Sequence, residues 1–160
     1  MAKVVFPPSS YRPTPFEVKP TIFLAGTIEM GNSIDWQEEA IKMFFSNASV
    51  IYNPRRQDWD SSWQQSIDNP QFNAQVNWEL QHIEDADYVF FNFEASSKSP
   101  ISLLELGIAA ARKPQKTVVC CPKEFWRFGN VEVVCNRYDV RIVNDFEEAT
   151  RVLNLLIRGI

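Results

Sequence analysis

The sequence predicts one doubly wound α/β domain, a three-layer sandwich in which helices cover both faces of a five-stranded, mainly parallel sheet. Two observations lead to this prediction. Short apolar runs alternate along the chain with longer helical patterns, at the spacing expected of β–α–β units. The 160 residues, 45% of them hydrophobic, suit one domain with a single buried core. We therefore assign residues 21–160 to the domain and residues 1–20 to an extended, proline-rich arm.

The predicted elements follow the arm in a regular order. Five of the ten prolines lie in residues 1–20, where each removes a backbone donor and fixes φ. The predicted strands are residues 21–25, 50–52, 88–93, 117–121 and 141–143. The predicted helices are residues 33–46, 71–86, 100–112 and 144–158, with Ser33 capping the first and Asn144 and Glu147 opening the last. Residues 123–137 remain ambiguous between a short helix and irregular structure.

Composition excludes several classes of protein. The net charge is −4 and no run of Lys or Arg forms a basic stripe, so nucleic acid is not an expected partner. No apolar run approaches 18 residues, and the early prolines differ from a signal peptide. The three cysteines make no disulfide framework, which favours a reducing, cytoplasmic location. His82 is the only histidine, so neither a His-based metal site nor a Ser-His triad is expected, and no cofactor is predicted.

Ligands of such a sheet bind beyond the carboxyl ends of the strands, where the strand order reverses. Three segments are therefore the candidates for a site: residues 26–32, 53–70 and 94–99. The first has two glycines but not the G-x-G-x-x-G spacing, and no G-x-x-x-x-G-K-[ST] motif occurs. The second is long, polar and rich in tryptophan, which is typical of binding loops. The aromatic residues that could stack on a base, or simply belong to the core, are Trp36, Trp59, Trp63 and Phe72.

Glu105 is the first candidate catalytic residue. It lies in the helix PISLLELGIAAA, which is apolar nearly all round, on one face with Ile101 and Ile108. A buried carboxylate is costly unless it is paired, protonated or useful. Gly107 in mid-helix costs about 1 kcal/mol relative to Ala, which suggests close approach of another group. The alternative is an ordinary ion pair between Glu105 and a nearby Arg or Lys.

Glu79 shows the same pattern in the preceding helix. A helical wheel places it within an apolar stripe and places Gln75, Asn77 and Gln81 on the outer faces. The stripe consists of Phe72, Val76, Leu80 and Ile83. Two buried carboxylates near strand ends could converge on one pocket, and paired carboxylates are the apparatus of glycosidic chemistry. The alternative for Glu79 is an ion pair with Arg55 or Arg56.

Ser99 has two interpretations. Followed by Pro100, it has the pattern of an N-cap before N1. With Ser96, Ser97 and Lys98 before it, the same helix N-terminus is also a plausible phosphate site. Capping alone would explain the residue.

Three segments of the chain resemble the nucleoside 2-deoxyribosyltransferases, and in particular a divergent nucleoside 2-deoxyribosyltransferase-like branch. They are IFLAGTIEMG, NWELQHIEDADYVFFNF and SPISLLELGIAAA, and the resemblance spans roughly residues 21–130. It implies the flavodoxin-like version of the predicted fold. It also implies that Glu105 is the nucleophile and that Glu79 replaces the family's Asp, which orients or protonates at the sugar.

The resemblance has further implications for the sugar 5′ end. The family's Asn from a neighbouring subunit falls near Asn130, which implies a homo-oligomer. Ser99 replaces a family carboxylate; in the related deoxynucleoside 5′-monophosphate N-hydrolases, a Ser at this place binds phosphate. The predicted substrate-binding residues are Gly26, Thr27, Trp36, Asn53, Asp58, Trp59, Asn73, Ser99 and Asn130.

The implied function is cleavage or transfer of the N-glycosidic bond of 2′-deoxyribonucleosides, through a covalent 2-deoxyribosyl intermediate on Glu105. The expected ligands are nucleosides, nucleobases or deoxynucleotides, in nucleoside salvage or modification. One alternative is a 2′-deoxynucleoside 5′-monophosphate N-hydrolase. Another, from a different class, is a module that binds a nucleoside or nucleotide without turnover.

Overall fold

The computed structural model describes residues 1–28, 34–56 and 58–160, which form a six-stranded parallel sheet with helices on both faces. The strand order is β1-β3-β2-β4-β5-β6. The strands are β1 Lys3–Val5, β2 Thr21–Gly26, β3 Val50–Tyr52, β4 Tyr88–Asn92, β5 Thr117–Cys120 and β6 Arg141–Val143. The helices are α1 Trp36–Phe44, α2 Pro70–Asp85, α3 Pro100–Arg112, α4 Phe128–Tyr138 and α5 Phe146–Arg158.

The predicted α/β class is confirmed, but the predicted count of five strands is wrong. The sixth strand, β1, lies within the predicted arm and pairs in parallel with β3, with Lys3 opposite Val50 and Val5 opposite Tyr52. The prolines begin only at Pro7, so the residues before them keep the backbone donors that a strand needs. The start of the chain therefore belongs to the sheet.

Two hydrophobic layers enclose the sheet. One contains Phe91 of β4 together with residues of α2, α3 and α4, and the other contains Phe90 together with residues of α1 and α5. Successive residues of a strand face opposite sides, so the run YVFFN contributes to both layers. The three cysteine thiols are buried in these layers, and burial raises the pKa of each to about 12.

Two helix starts differ from their predicted positions. The N-cap of α1 is Asp35, whose carboxylate accepts a hydrogen bond from the Glu38 amide at 3.1 Å; Ser33 lies outside the described residues. The N-cap of α5 is Asp145, which accepts from the Glu148 amide at 2.9 Å. The side-chain amide nitrogen of Asn144, one residue before this cap, donates to the Cys121 carbonyl oxygen at 3.0 Å.

The orientation of α2 differs from the predicted helical wheel. The helix buries Gln75, Trp78, His82 and Ile83, whereas the predicted stripe residues Phe72, Val76 and Leu80 are only partly covered. The Trp78 and His82 rings pack on Tyr52 of β3, with centroids 6.4 and 4.2 Å away. This packing rotates Gln75 inward, and its predicted place on an outer face is therefore wrong.

The ambiguous region before β6 contains the helix α4. It buries Val131 and Cys135, which are four residues apart on one face. Two buried side chains give too short an apolar pattern to predict a helix from the sequence. Across the described residues, no helix is both long enough and apolar enough to cross a membrane.

Candidate active site

The candidate site lies where the strand order reverses at the carboxyl ends of β2 and β4. The chain continues from β2 to β3 on one side and then to β4 on the other, and ligand-binding crevices of open α/β sheets form at such points. Gly26 closes β2 with φ of 136°, and a Cβ there would lie 2.0 Å from the Asn92 carbonyl oxygen. The Thr27 amide donates to that same oxygen at 2.9 Å. Glycine at position 26 thus allows the two strands to remain together up to the crevice.

Glu105 and Glu79 meet through a hydrogen bond between their carboxyl groups. Glu105 is 7% exposed on α3, and Glu79 is half-buried on the neighbouring helix α2. Burial raises the pKa of Glu105 well above its ordinary value, and the Glu79 charge and hydrogen bond raise it further. Burial also raises the pKa of Glu79, while hydrogen bonds from Gln75 and Glu105 oppose that shift. The two groups therefore share a proton, with Glu105 as donor and Glu79 as acceptor.

The neighbouring arginines form ion pairs with other carboxylates. Arg55 lies 3.6 Å from Asp35, and Arg56 lies 2.8 Å from Asp58. The contacts of Glu79 are instead with Glu105 and Gln75. The pair is thus held by hydrogen bonds between carboxyl and amide groups.

Helix α3 is less buried than its composition suggests. Ile101 is 60% exposed and Leu104 is 66% exposed, so one side of the helix is uncovered in the single chain. Among the residues that the structure describes, none would lie within 4 Å of a Cβ on Gly107. The expected close approach to Gly107 is therefore not found in this part of the chain.

Gln75 is a site residue that the sequence interpretation missed. It is 3% exposed, and its Nε2 donates to Glu79 Oε1 at 2.6 Å and to the Pro54 carbonyl oxygen at 3.4 Å. Its Oε1 accepts from Arg56 at 3.3 Å. The available signal was its spacing, because a polar residue four positions before Glu79 lies one helical turn away on the same face.

Ser99 occupies the N-cap position of α3, but its side chain makes no capping hydrogen bond. Its backbone is left-handed, with φ of 44°, and the hydroxyl lies 2.6 Å from Thr27 Oγ1 and 2.8 Å from Ser97 Oγ. The predicted side-chain capping role is therefore wrong. Thr27 Oγ1 also accepts from the Glu94 amide at 3.0 Å. Because two hydrogen bonds join three hydroxyls, one hydroxyl proton remains for an acceptor outside the group.

Two of the predicted binding residues support the loops around the crevice. Trp36 is buried in the core, and its indole Nε1 donates to the Thr27 carbonyl oxygen at 2.7 Å. Asn53 is also buried, and its Oδ1 accepts from the Arg55 amide at 3.0 Å. These contacts fix the backbone that follows β2 and β3.

Asp58, Trp59 and Asn73 lie along the loop after β3 and the start of α2. Asp58 is exposed and pairs with Arg56, and the Trp59 ring meets the Trp63 ring edge-on at 5.2 Å. Asn73 accepts a hydrogen bond from the Asn77 side chain at 2.7 Å. Asp58 and Trp59 thus help to organise this loop.

Asn130 lies apart from the carboxyl pair. It lines a groove of about 390 Å³ between α3 and α4, together with Leu103 and Gly107. Each of those residues is two positions from Glu105, which is roughly 200° around the helix. Asn130 and Glu105 of one chain therefore lie on opposite sides of α3.

Metal ligands are not grouped in the part of the chain that the structure describes: no three or more His, Cys, Asp or Glu side chains there could hold an ion. Two carboxyls and an amide meet between α2 and α3, and three hydroxyls meet at the start of α3.

The nucleoside 2-deoxyribosyltransferase like family has a sequence model that matches residues 19–125. That segment is about two thirds of the chain and contains Glu79, Ser99 and Glu105. The chain belongs to this family, and the resemblance predicted from the sequence is confirmed. Asn130 lies just beyond the matched residues. A search of curated proteins found no match to the chain.

Proposed function

We propose that the protein cleaves the N-glycosidic bond of 2′-deoxyribonucleosides and transfers the sugar to a second base. The observation that carries this proposal is the pair of glutamates on neighbouring helices, Glu105 buried on α3 and Glu79 half-buried on α2, whose carboxyl groups interact. Such a pair contains a nucleophile and an acid together, which are the two groups that glycosidic chemistry requires. Membership of the nucleoside 2-deoxyribosyltransferase like family supports the class of substrate.

Before the first half-reaction the shared proton passes along the hydrogen bond from Glu105 to Glu79, which leaves Glu105 as the carboxylate. A Glu105 oxygen attacks C1′ and forms a C–O bond, while the C1′–N bond breaks and its electron pair leaves with the base. Glu79 gives its proton to the departing base. The products are a 2-deoxyribosyl ester on Glu105, a neutral base and the Glu79 carboxylate.

In the second half-reaction the Glu79 carboxylate removes a proton from the acceptor base. The acceptor nitrogen attacks C1′ from the face that the first base left, and the ester bond breaks with its electron pair returning to Glu105. Two inversions give net retention at C1′. Because the sugar lacks a 2′-hydroxyl, no electron-withdrawing group there destabilises the oxocarbenium-like transition state.

A second candidate function is hydrolysis of 2′-deoxynucleoside 5′-monophosphates, with water as acceptor. The observation that favours it is the Ser97–Ser99–Thr27 hydroxyl chain, which has a proton to donate. A phosphate oxygen is a strong acceptor for such a proton. Glu94 lies in the same loop, and its carboxylate accepts from the Asn92 amide at 2.8 Å. Any bound phosphate would have to tolerate this nearby charge.

The proposal can be tested by incubating the purified protein with deoxynucleosides or deoxynucleotides and a free acceptor base, followed by chromatography. We expect a new nucleoside that contains the acceptor base, whereas free sugar phosphate would indicate the hydrolase. Glu105→Ala should abolish turnover, and Glu132→Ala, which removes an exposed carboxylate on α4, should leave it unchanged. Binding without turnover would indicate a non-catalytic module. A Glu105→Ala variant that keeps more than a few per cent of activity would exclude Glu105 as the nucleophile.

A further inference from the structure

A line of hydrogen bonds joins the loop after β3 to the carboxyl pair. Arg56 donates to both Asp58 carboxylate oxygens, at 2.9 and 2.8 Å, and its guanidinium lies 5.1 Å from the centre of the Trp63 ring. The same guanidinium donates to Gln75, which donates in turn to Glu79. The Arg56 side chain is only 13% exposed, so the loop holds it in place.

The two ends of this line fix the orientation of the Gln75 amide. A guanidinium has only donors, so it must face the amide oxygen. A carboxylate and a backbone carbonyl have only acceptors, so the amide nitrogen must face Glu79 and Pro54. The distance of 2.6 Å to Glu79 is short for an amide donor, as expected when the acceptor is charged.

We propose that Gln75 is the positioning residue of the carboxyl pair: by donating to Glu79 while Arg56 holds its other end, it determines which glutamate carries the shared proton. This role rests on the proposed function, in which Glu79 must release a proton to the departing base. A donor fixed on Glu79 favours its ionised form and makes it the readier acid.

In the described part of the chain, three side chains surround the carboxyl group of Glu79, from α3, from α2 and from the loop before α2. Glu105 faces it from α3, Gln75 faces it from its own helix, and Arg56 stands behind Gln75. Only one of these three, Gln75, is neutral at every pH of interest. Its substitution therefore changes the environment of Glu79 without adding or removing a titrating group.

The test compares Gln75→Met with Gln81→Met, the same change at an exposed glutamine of α2. Carboxyl NMR titration of the free protein, with signals assigned through Glu79→Gln and Glu105→Gln, reports the protonation of the pair. We expect Gln75→Met to raise the apparent pKa of Glu79 by about one pH unit. We expect kcat to fall about tenfold or more with KM nearly unchanged. Gln81→Met should change none of these quantities.

Arg56→Met provides a second, independent variant in case Gln75→Met does not fold. It leaves Gln75 in place but frees its amide to turn, so the shift at Glu79 should have the same sign and be smaller. The double variant should match Gln75→Met alone, because both residues act along one line. A titration unchanged in Gln75→Met, or in Arg56→Met where that variant alone folds, would overturn the proposal. The titration needs no substrate, so a wild-type protein without turnover would refute the proposed function while the NMR result still decides the role of Gln75.

Discussion

Glu105 and Glu79 share a hydrogen bond, which requires that at least one of the two carboxyl groups be protonated. Glu105 is buried on α3, and Glu79 is half-buried on the neighbouring helix α2. Because two neighbouring carboxylates repel each other, the pair keeps one proton over a wide range of pH. The folded protein therefore retains a proton that the unfolded chain would release.

Because the folded protein retains this proton, its free energy of unfolding should depend on pH. The pKa of Glu105 is raised in the folded state from an ordinary value of 4.5, so its contribution to stability is fully present below about pH 4.5 and is lost as pH rises through the folded pKa. Glu105→Gln removes the titrating group, so the variant does not lose this stability as pH rises. We expect the melting temperature of Glu105→Gln to exceed that of wild type by more at pH 8 than at pH 4. Each kcal/mol of stability gained should raise it by about 2–4 °C.

The control for this prediction is Glu132→Gln on the exposed side of α4. It should show no such dependence on pH. An equal difference between Glu105→Gln and wild type at pH 4 and pH 8 would mean that folding does not raise the pKa of Glu105.

Among the secondary-structure elements, those with strong local patterns were predicted best. The bounds of β3, α3 and β6 match their predictions, since each has a clear apolar run or a proline at its start. Strand β1 was missed because the prolines that begin at Pro7 led the whole segment 1–20 to be assigned to an extended arm. The face of α2 was misassigned because the stripe that begins at Phe72 was weighted above Trp78 and His82, whose rings make the actual contact with β3.

The candidate site was predictable to the extent that its residues conflict with their surroundings. Glu105 and Glu79 were singled out because a carboxylate in an apolar helix pattern is unusual. Gln75 was missed because an amide in a helix is unremarkable, and its contacts depend on a loop far away in sequence. Side-chain capping, one of the two interpretations of Ser99, was wrong because the left-handed backbone at this residue cannot be recognised from the sequence.

At the scale of the elements, the start of α3 leads to a prediction about substrate preference. Ser99→Asp places a carboxylate where a phosphate would accept the free hydroxyl proton, so it should shift preference from 5′-monophosphates towards free nucleosides. The measurement is the ratio of kcat/KM for a deoxynucleotide and its nucleoside, in wild type and variant. An anion near a helix N-terminus gains about 0.3–1 kcal/mol from the dipole, so a severalfold change in the ratio is expected.

Ser96→Asp is the matched control, because it puts the same charge on an exposed position of the same loop. It should change the ratio less. An unchanged ratio in Ser99→Asp would leave Ser99 with a purely structural role in the hydroxyl chain.

At the scale of the whole molecule, one apolar face lies uncovered along α3 and α4. Its members are Ile101, Leu104, Trp126 and Val133, each between 48% and 66% exposed. Asn130 lies beside this face and on the opposite side of α3 from Glu105. A second copy packed here would cover the apolar side chains and could present its Asn130 to a neighbouring site. We therefore expect a homo-oligomer formed through this face.

Light scattering provides the measurement. Wild-type protein should have a mass that is a multiple of 18.5 kDa, and Leu104→Glu should reduce it, because a charge in a packed apolar interface is costly. Val18→Glu, at a nearly fully exposed position of the N-terminal segment, should leave the mass unchanged. A strict monomer with full activity would return Asn130 to an ordinary surface role.

The buried thiols of Cys120, Cys121 and Cys135 have a consequence for chemical labelling. Alkylating reagents attack the thiolate, and a pKa of about 12 leaves almost none of it at neutral pH. Cys120 lies in the layer beneath α1 and α5, while Cys121 and Cys135 lie in the layer beneath α2, α3 and α4. Each thiol becomes reactive only when its own layer separates from the sheet. The native cysteines therefore allow the opening of the two layers to be timed separately, without any introduced probe.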